Sequence, residues 1–189
     1  MADVVTIAGS PSIPSRSAVL LAHIRTLLET DGVSTDAIAV RQLNAEDLVA
    51  ARSEAPSIQD ALGRLQGARA VIVGTPIYKA AYAGLLKVFL DLLPQNAFQD
   101  KVVFPIATGG APGHLLAIDY SLKPLLGALG AQHILNGLYV LDAQIHYQDG
   151  ELIWLDPTVE QRLRVGLQSL AQSLAPPPLR AEAPIIRIK

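Results

Sequence analysis

Hydroxyl and guanidinium groups are concentrated in one short segment near the start of the chain, residues 9–17. Four serines and one arginine carry them: Ser10, Ser12, Ser15, Arg16 and Ser17. An apolar run at 4–8 precedes the segment and a helical pattern at 18–28 follows it. A helix start presents free N–H groups and the positive end of the helix dipole, so this arrangement predicts an anion site suited to a phosphate monoester. The alternative is that Ser15 or Ser17 only caps the helix.

The spacing of this segment also excludes two common phosphate-binding loops. It lacks the G-x-G-x-x-G pattern of dinucleotide-binding folds. It equally lacks the G-x-x-x-x-G-K-[ST] pattern of nucleotide triphosphate loops. The predicted ligand is therefore a small phosphorylated molecule.

Two further segments, 75–82 and 108–113, follow apolar runs and are rich in small, rigid or hydroxyl residues. Pro76 fixes the backbone of the first, so its main-chain groups can face the edge of a ring with Tyr78 nearby. Glycines in the second let a ring approach the backbone closely, because glycine has no side chain. A plain turn is the alternative for that glycine pair.

Five apolar strand patterns alternate with helical patterns. The strands are predicted at 4–8, 35–40, 70–73, 102–107 and 134–141, and the intervening predictions include a loop at 74–79 and a helix at 114–129. This alternation predicts an α/β protein with a flavodoxin-like, five-stranded parallel sheet of order 2-1-3-4-5 and helices on both faces. The order brings the carboxyl ends of strands one, three and four together, and the three unusual segments follow those strands.

The end of the chain has a different pattern. Asp149-Gly150 lies between two alternating runs and predicts a hairpin over 144–155. Asp156 then caps a last helix that ends near Leu174. We predict one domain over residues 1–175 and a Pro-rich tail over 176–189.

Composition narrows the class of protein. Half of the 189 residues are hydrophobic and 17% are charged, which favours a sheet covered on both faces. The net charge of −2 gives no electrostatic reason to expect nucleic acid or an acidic membrane surface as a partner. Without cysteine there is no disulfide, thiolate nucleophile or cysteine-bound metal. We see no signal peptide or membrane span and expect a cytoplasmic protein.

The residues themselves offer little acid–base chemistry. The four histidines share no metal-ligand spacing, and no Ser-His-Asp arrangement is indicated. We therefore predict no metal and no catalytic side chain. A site that binds well but lacks acids and bases suggests that a cofactor does the chemistry, and FMN has the required flat ring and phosphate.

Residues 1–142 resemble a known family, the NADPH-dependent FMN reductases of alkanesulfonate and sulfonate monooxygenase systems. The likeness is carried by Gly9-Ser10-Pro11 with Pro14-Ser15-Arg16-Ser17, by Thr75-Pro76-Ile77-Tyr78-Lys79-Ala80-Ala81-Tyr82, and by Ala107-Thr108-Gly109-Gly110 with His114-Leu115-Leu116-Ala117-Ile118-Asp119-Tyr120 and Leu122-Lys123-Pro124. It implies a homodimer or homotetramer that transfers hydride from NADPH to FMN. Reduced FMN would pass to a separate monooxygenase for sulfonate desulfonation and sulfur acquisition.

The resemblance also assigns residues. It implies that the phosphate is held by Ser10, Ser15, Arg16 and Ser17. It implies that one edge of the isoalloxazine is lined by Pro76, Ile77, Tyr78 and Lys79, and the other by Thr108, Gly109 and Gly110.

Tyr120 has a separate argument. It points away from the apolar face that Ile118 and Leu122 define, and Pro124 has no N–H to give to its carbonyl oxygen. The helix should be kinked there or contain a π-bulge. The resemblance implies a π-helix at the subunit interface, beside the flavin, that supports flavin exchange. The alternative is an exposed tyrosine beside a proline kink.

Three other functions stay open from the sequence. The first is a quinone, azo-dye or metal-ion reductase that keeps FMN bound. The second is a flavodoxin-like electron carrier without a nicotinamide site, although such carriers tend to be more acidic. The third is a regulatory flavin-binding module with the tail as a docking strand. The choices between NADPH and NADH, between dimer and tetramer, and between FMN as substrate and as fixed group also stay open.

Overall fold

A sheet of parallel strands runs through the protein, and the computed structural model describes it within residues 2–174. The predicted tail, 176–189, lies outside the described residues. The strands are β1 (Val4–Ala8), β2 (Thr35–Ala39), β3 (Ala70–Tyr78), β4 (Ala81–Tyr82), β5 (Val102–Gly109), β6 (His133–Ile134), β7 (Leu138–Leu141), β8 (Ile145–Gln148) and β9 (Glu151–Leu155). The α-helices are α1 (Arg16–Thr30), α2 (Ala45–Val49), α3 (Pro56–Gly67), α4 (Gly84–Leu90), α5 (Lys123–Ala128) and α6 (Pro157–Leu174).

The order across the main sheet is β2-β1-β3-β5-β6. Strand β6 pairs with the first residues of β5, and β7 pairs with its last residues. Strands β6 and β7 thus share the fifth position, so the predicted order 2-1-3-4-5 is confirmed. The central strands are apolar on both faces because helices cover both sides. Helices α1 and α6 pack on one face, and α3, α4 and α5 pack on the other.

Strand β3 is longer than the sequence predicts. Residues 74–76 continue its parallel pairing with β5, and Ile77 and Tyr78 then pair antiparallel with β4. The loop predicted at 74–79 is therefore wrong. Pro76 is tolerated in the strand because β1 ends opposite Gly74, which leaves β3 with an open side where no N–H is required. Strand β5 likewise continues two residues beyond the predicted Ala107, to Gly109.

The chain between β5 and β6 is not one continuous helix over 114–129. It consists of a 3₁₀-helix (Pro112–Leu116), a π-helix (Ile118–Leu122) and α5. The irregularity predicted at Tyr120 is confirmed and takes the π-helical form. Ile118 lies against Gly137, where a Cβ atom would come within 2.5 Å of Ile118 Cγ2. Gly137 belongs to the break between β6 and β7.

The hairpin predicted over 144–155 and the last helix predicted after Asp156 are confirmed. Strands β8 and β9 form a separate antiparallel hairpin whose turn places Asp149 and Gly150 at φ of 52° and 86°. Helix α6 begins after Asp156, whose carboxylate accepts a hydrogen bond of 2.9 Å from the Thr158 N–H. Within residues 2–174, no helix has the length and apolar character that crossing a membrane requires.

Candidate active site

The three predicted segments meet in one cleft at the carboxyl ends of β1, β3 and β5. The cleft encloses about 170 Å³. Its lining residues are Ser10, Ser12, Pro14, Ser15, Arg16, Pro76, Ile77, Tyr78, Thr108, Gly109, Gly110 and Asp142. All of the predicted cofactor-binding residues except Ser17 and Lys79 are thus brought together.

Ser17 and Lys79 lie outside the lining. Ser17 is fully buried behind the first segment, with its hydroxyl 3.1 Å from Ser15 Oγ. Lys79 lies at the exposed tip of the β3–β4 hairpin, where Lys79 and Ala80 have φ of 50° and 65°. Asn-Gly is the common pair in a turn of this kind, so the Lys79-Ala80 pair does not indicate the turn in the sequence.

The N-terminus of α1 forms one end of the cleft. Ser15 caps the helix: its hydroxyl accepts from the Ala18 N–H at 3.4 Å, and its carbonyl accepts from Val19. Within residues 2–174, the N–H groups of Arg16 and Ser17 have no hydrogen-bond partner. The capping interpretation of Ser15 is correct, and it leaves free donors beside it that an anion can use.

Arg16 supplies the charge at this end. Its Nε atom is buried and has no hydrogen-bond partner among the described residues. The nearest carboxylate oxygen, Asp142 Oδ1, is 3.8 Å away, and the guanidinium carbon lies 5.8 Å from the centre of the Tyr147 ring. A buried donor without an acceptor is unfavourable, so this atom fits an anionic ligand such as a flavin phosphate.

Asp142 and Tyr147 are site residues that sequence reasoning missed. Asp142 follows β7 directly, at the start of a short 3₁₀-helix, Asp142–Gln144. A signal was present, because the residue follows the fifth predicted strand at the same edge of the sheet as the three segments. Tyr147 gave no such signal, since its approach to Arg16 depends on how the β8–β9 hairpin packs on α1.

Tyr139 lies behind the segment 108–113 and supports it. Its hydroxyl donates to the Ala111 carbonyl oxygen at 2.7 Å, and burial together with the Asp142 carboxylate raises the pKa of this hydroxyl. A Cβ atom on Gly109 would lie 2.5 Å from the Tyr139 oxygen. A glycine at position 109 is therefore required for this close approach.

The other end of the cleft lies between Pro76–Tyr78 and Thr108–Gly110. Ser12 Oγ and the Tyr78 hydroxyl are 3.2 Å apart, and this contact joins the segment 9–17 to the segment 75–82. The described residues contain no cluster of three or more metal-ligating side chains. Tyr120 is outside the lining, and 80% of its surface is exposed on the π-helix.

The amino-acid sequence places this cleft in a known family. Residues 2–146 match the family model of NADPH-dependent FMN reductases. The chain belongs to this family. An FMN reductase (NADPH) of Pseudomonas putida KT2440 is 45% identical over 91% of this chain and 88% of its own length. An FMN reductase (NADPH) of Escherichia coli K12 is 44% identical over 90% of this chain and 89% of its own length.

The fold comparison agrees with this assignment. The apo structure of an NADH:FMN oxidoreductase, EMOB, superposes with a TM-score of 0.83 at 33% identity, over 94% of this chain and 92% of the other. The predicted flavodoxin-like fold, the enzyme class and the pair FMN and NADPH are thereby confirmed. The family places the protein among NAD(P)H-dependent oxidoreductases, so the electron-carrier alternative is wrong.

Proposed function

We propose that this FMN reductase passes reduced FMN to a separate FMNH2-dependent monooxygenase that desulfonates sulfonates. The observation that best supports a flavin site is the buried Nε of Arg16, which lacks a hydrogen-bond partner among the described residues and lies at the N-terminus of α1. Binding of the phosphate there fixes one end of the molecule. Its ring is then directed towards the opposite end of the cleft.

The residues act by binding and orientation. Ser10, Ser15 and Arg16 hold the phosphate, and Ser17 supports the Ser15 hydroxyl from behind. Pro76, Ile77 and Tyr78 line one edge of the ring, with Lys79 at the rim of their hairpin. Thr108, Gly109 and Gly110 line the other edge.

Hydride transfer from nicotinamide to flavin is chemistry that the two small molecules supply themselves. The protein's contribution is to hold both rings in reactive contact, which converts an encounter in solution into a positioned reaction. This agrees with a cleft lined mostly by hydroxyls, glycines and backbone, in which no side chain needs to transfer a proton.

We further propose that the π-helix takes part in flavin release and in self-association of the protein. Tyr120 is 80% exposed and Leu116 is 55% exposed, and such large exposed side chains often mark an interaction surface. We assign this surface to the interface of a homodimer or homotetramer, where Tyr120 supports exchange of flavin. The cytoplasmic location stays a prediction.

One experiment tests whether flavin is a substrate. The visible spectrum of the purified protein is recorded, and NADPH oxidation is then followed at about 340 nm, a property of the nicotinamide, while free FMN is titrated. We expect a nearly colourless protein whose rate saturates with FMN. A yellow protein that ignores added FMN would contradict the proposal.

A second candidate is a reductase that retains FMN and reduces an azo dye or quinone directly. It is favoured by a 29% identical NADPH azoreductase of Bacillus sp. OY1-2, which matches 78% of this chain and 80% of its own length. The same assay separates the two functions when a dye and a quinone replace FMN as acceptor. Turnover of dye by a yellow protein without added flavin would establish the second candidate.

A further inference from the structure

A carboxylate shares the cleft with the group that is expected to bind phosphate. Asp142 Oδ1 lies 3.8 Å from Arg16 Nε, close enough for charge attraction but too far for a hydrogen bond. Both side chains are about two-fifths exposed, at 42% and 41%. Arg16 is therefore paired by charge while its Nε donor stays free.

The position of Asp142 is fixed by the sheet. Strand β7 pairs with β5 up to Leu141, opposite Gly109, and the Leu141 N–H donates to Gln144 Oε1 at 3.0 Å. The carboxylate is thereby held beside Gly110, where a Cβ atom would lie 3.7 Å from Asp142 Oδ2. Its charge faces the cleft at the phosphate end.

No structural requirement for this carboxylate is evident in residues 2–174. Its side chain makes no hydrogen bond within this part of the chain, and Arg16 has a second contact in the Tyr147 ring. A phosphate carries close to two negative charges, and a carboxylate several ångströms away repels it. In partly screened surroundings, this repulsion corresponds to roughly a tenfold loss of affinity.

We propose that Asp142 competes with the flavin phosphate for Arg16 and thereby keeps FMN exchangeable. This inference rests on the proposed placement of the phosphate at Arg16. Without flavin, Asp142 balances the guanidinium charge. With flavin, the phosphate takes the Nε donor and remains next to a carboxylate of the same sign, so FMN binds more weakly than the anion site alone would allow.

Asp142→Asn tests the proposal, because it removes the charge and keeps the shape. Dissociation constants for FMN and riboflavin are measured by flavin fluorescence on the full chain. We expect FMN to bind about tenfold more tightly and riboflavin, which lacks the phosphate, to change by less than about twofold. Asp142→Glu retains the charge and should leave both affinities near those of the unmodified protein.

The matched control is Asp31→Asn. Asp31 is exposed at the opposite end of α1, about 22 Å from Arg16 for a helix of 15 residues, and the same charge is removed. Neither flavin affinity should change by more than about twofold.

Arg16→Gln separates failure of this proposal from failure of the phosphate assignment. If Arg16→Gln weakens FMN but not riboflavin, while Asp142→Asn leaves their ratio unchanged, only the competition is wrong. If Arg16→Gln leaves the ratio unchanged, the phosphate assignment and the competition are both wrong. Weaker FMN binding in Asp142→Asn, or an equal change for both flavins, would mean that Asp142 only positions its neighbours, and would overturn the proposal.

Discussion

Two helical segments begin near the cleft, and they are built in opposite ways. Helix α1 is one continuous helix of 15 residues with a serine cap and a buried apolar face. The segment after β5 is divided into 3₁₀, π and α parts, and none of the three has a side-chain cap. The regular helix presents fixed donors to an anion. The irregular segment presents an exposed aromatic ring instead.

The difference has local causes. In α1, apolar residues recur at helical spacing and the first turn has its hydroxyl cap. After β5, none of the three parts has such a cap, and the Lys123 N–H bonds to the Ile118 carbonyl, one residue further back than in an α-helix. The proposals thus place phosphate binding at the regular helix and the aromatic ring that supports flavin exchange on the irregular segment.

The largest effect is expected from Arg16→Gln, which removes the charged donor of α1. Charge-assisted hydrogen bonds contribute about 1.5–3 kcal/mol, so the KM for FMN should rise by roughly 10- to 100-fold. Steady-state NADPH oxidation with FMN and with riboflavin measures it, and riboflavin reduction should be unaffected. Arg25→Gln, on the same helix and paired with Glu29, is the control. An equal loss with both flavins would contradict a phosphate contact.

Tyr120→Ala acts on the irregular segment. Loss of the ring should slow flavin exchange, so we expect FMN to co-purify and kcat with added FMN to fall several-fold. The visible spectrum and the same assay measure these changes. Tyr120→Phe keeps the ring and should stay colourless. A colourless Tyr120→Ala protein with unchanged kinetics would remove Tyr120 from flavin exchange.

Ser15→Ala removes the cap that makes α1 regular. The free energy of unfolding should fall by about 1 kcal/mol, the usual effect of losing a serine cap, with a smaller rise in the KM for FMN. Urea denaturation measures the first quantity. Ser57→Ala is the control: Ser57 lies in the first turn of α3, but its hydroxyl makes no hydrogen bond within residues 2–174. Equal destabilisation by both substitutions would argue against the cap.

The smallest effect is expected from Pro124→Ala. The bond from the Lys123 N–H to the Ile118 carbonyl does not involve Pro124, and Lys123 Nζ also contacts Asp119 Oδ1 at 2.6 Å. The π-helix should therefore persist, and FMN turnover should stay within about twofold of the unmodified protein. If FMN co-purifies, as predicted for Tyr120→Ala, the proline itself maintains the π-helix.

The main features of the fold could be predicted because they depend on local patterns. Apolar runs gave the strand order, and small-residue segments after strands one, three and four located the cleft. The antiparallel end of β3 could not be predicted, because a partner strand stabilises it against a local preference for a turn. Tyr147 was missed for a related reason: it reaches Arg16 only after the β8–β9 hairpin has packed on α1. Asp142 could have been found, because it follows the fifth predicted strand at the edge of the sheet where the three segments end.

The contact between Gly137 and Ile118 limits the substitutions that position 137 can accept. The π-helix fits against the sheet edge only because position 137 has no side chain. Any larger residue there would push Ile118 outwards and with it the segment that carries Tyr120. A variant with a side chain at position 137 should therefore force Ile118, at the start of the irregular helix, to repack. The two positions are therefore coupled although they lie 19 residues apart in the sequence.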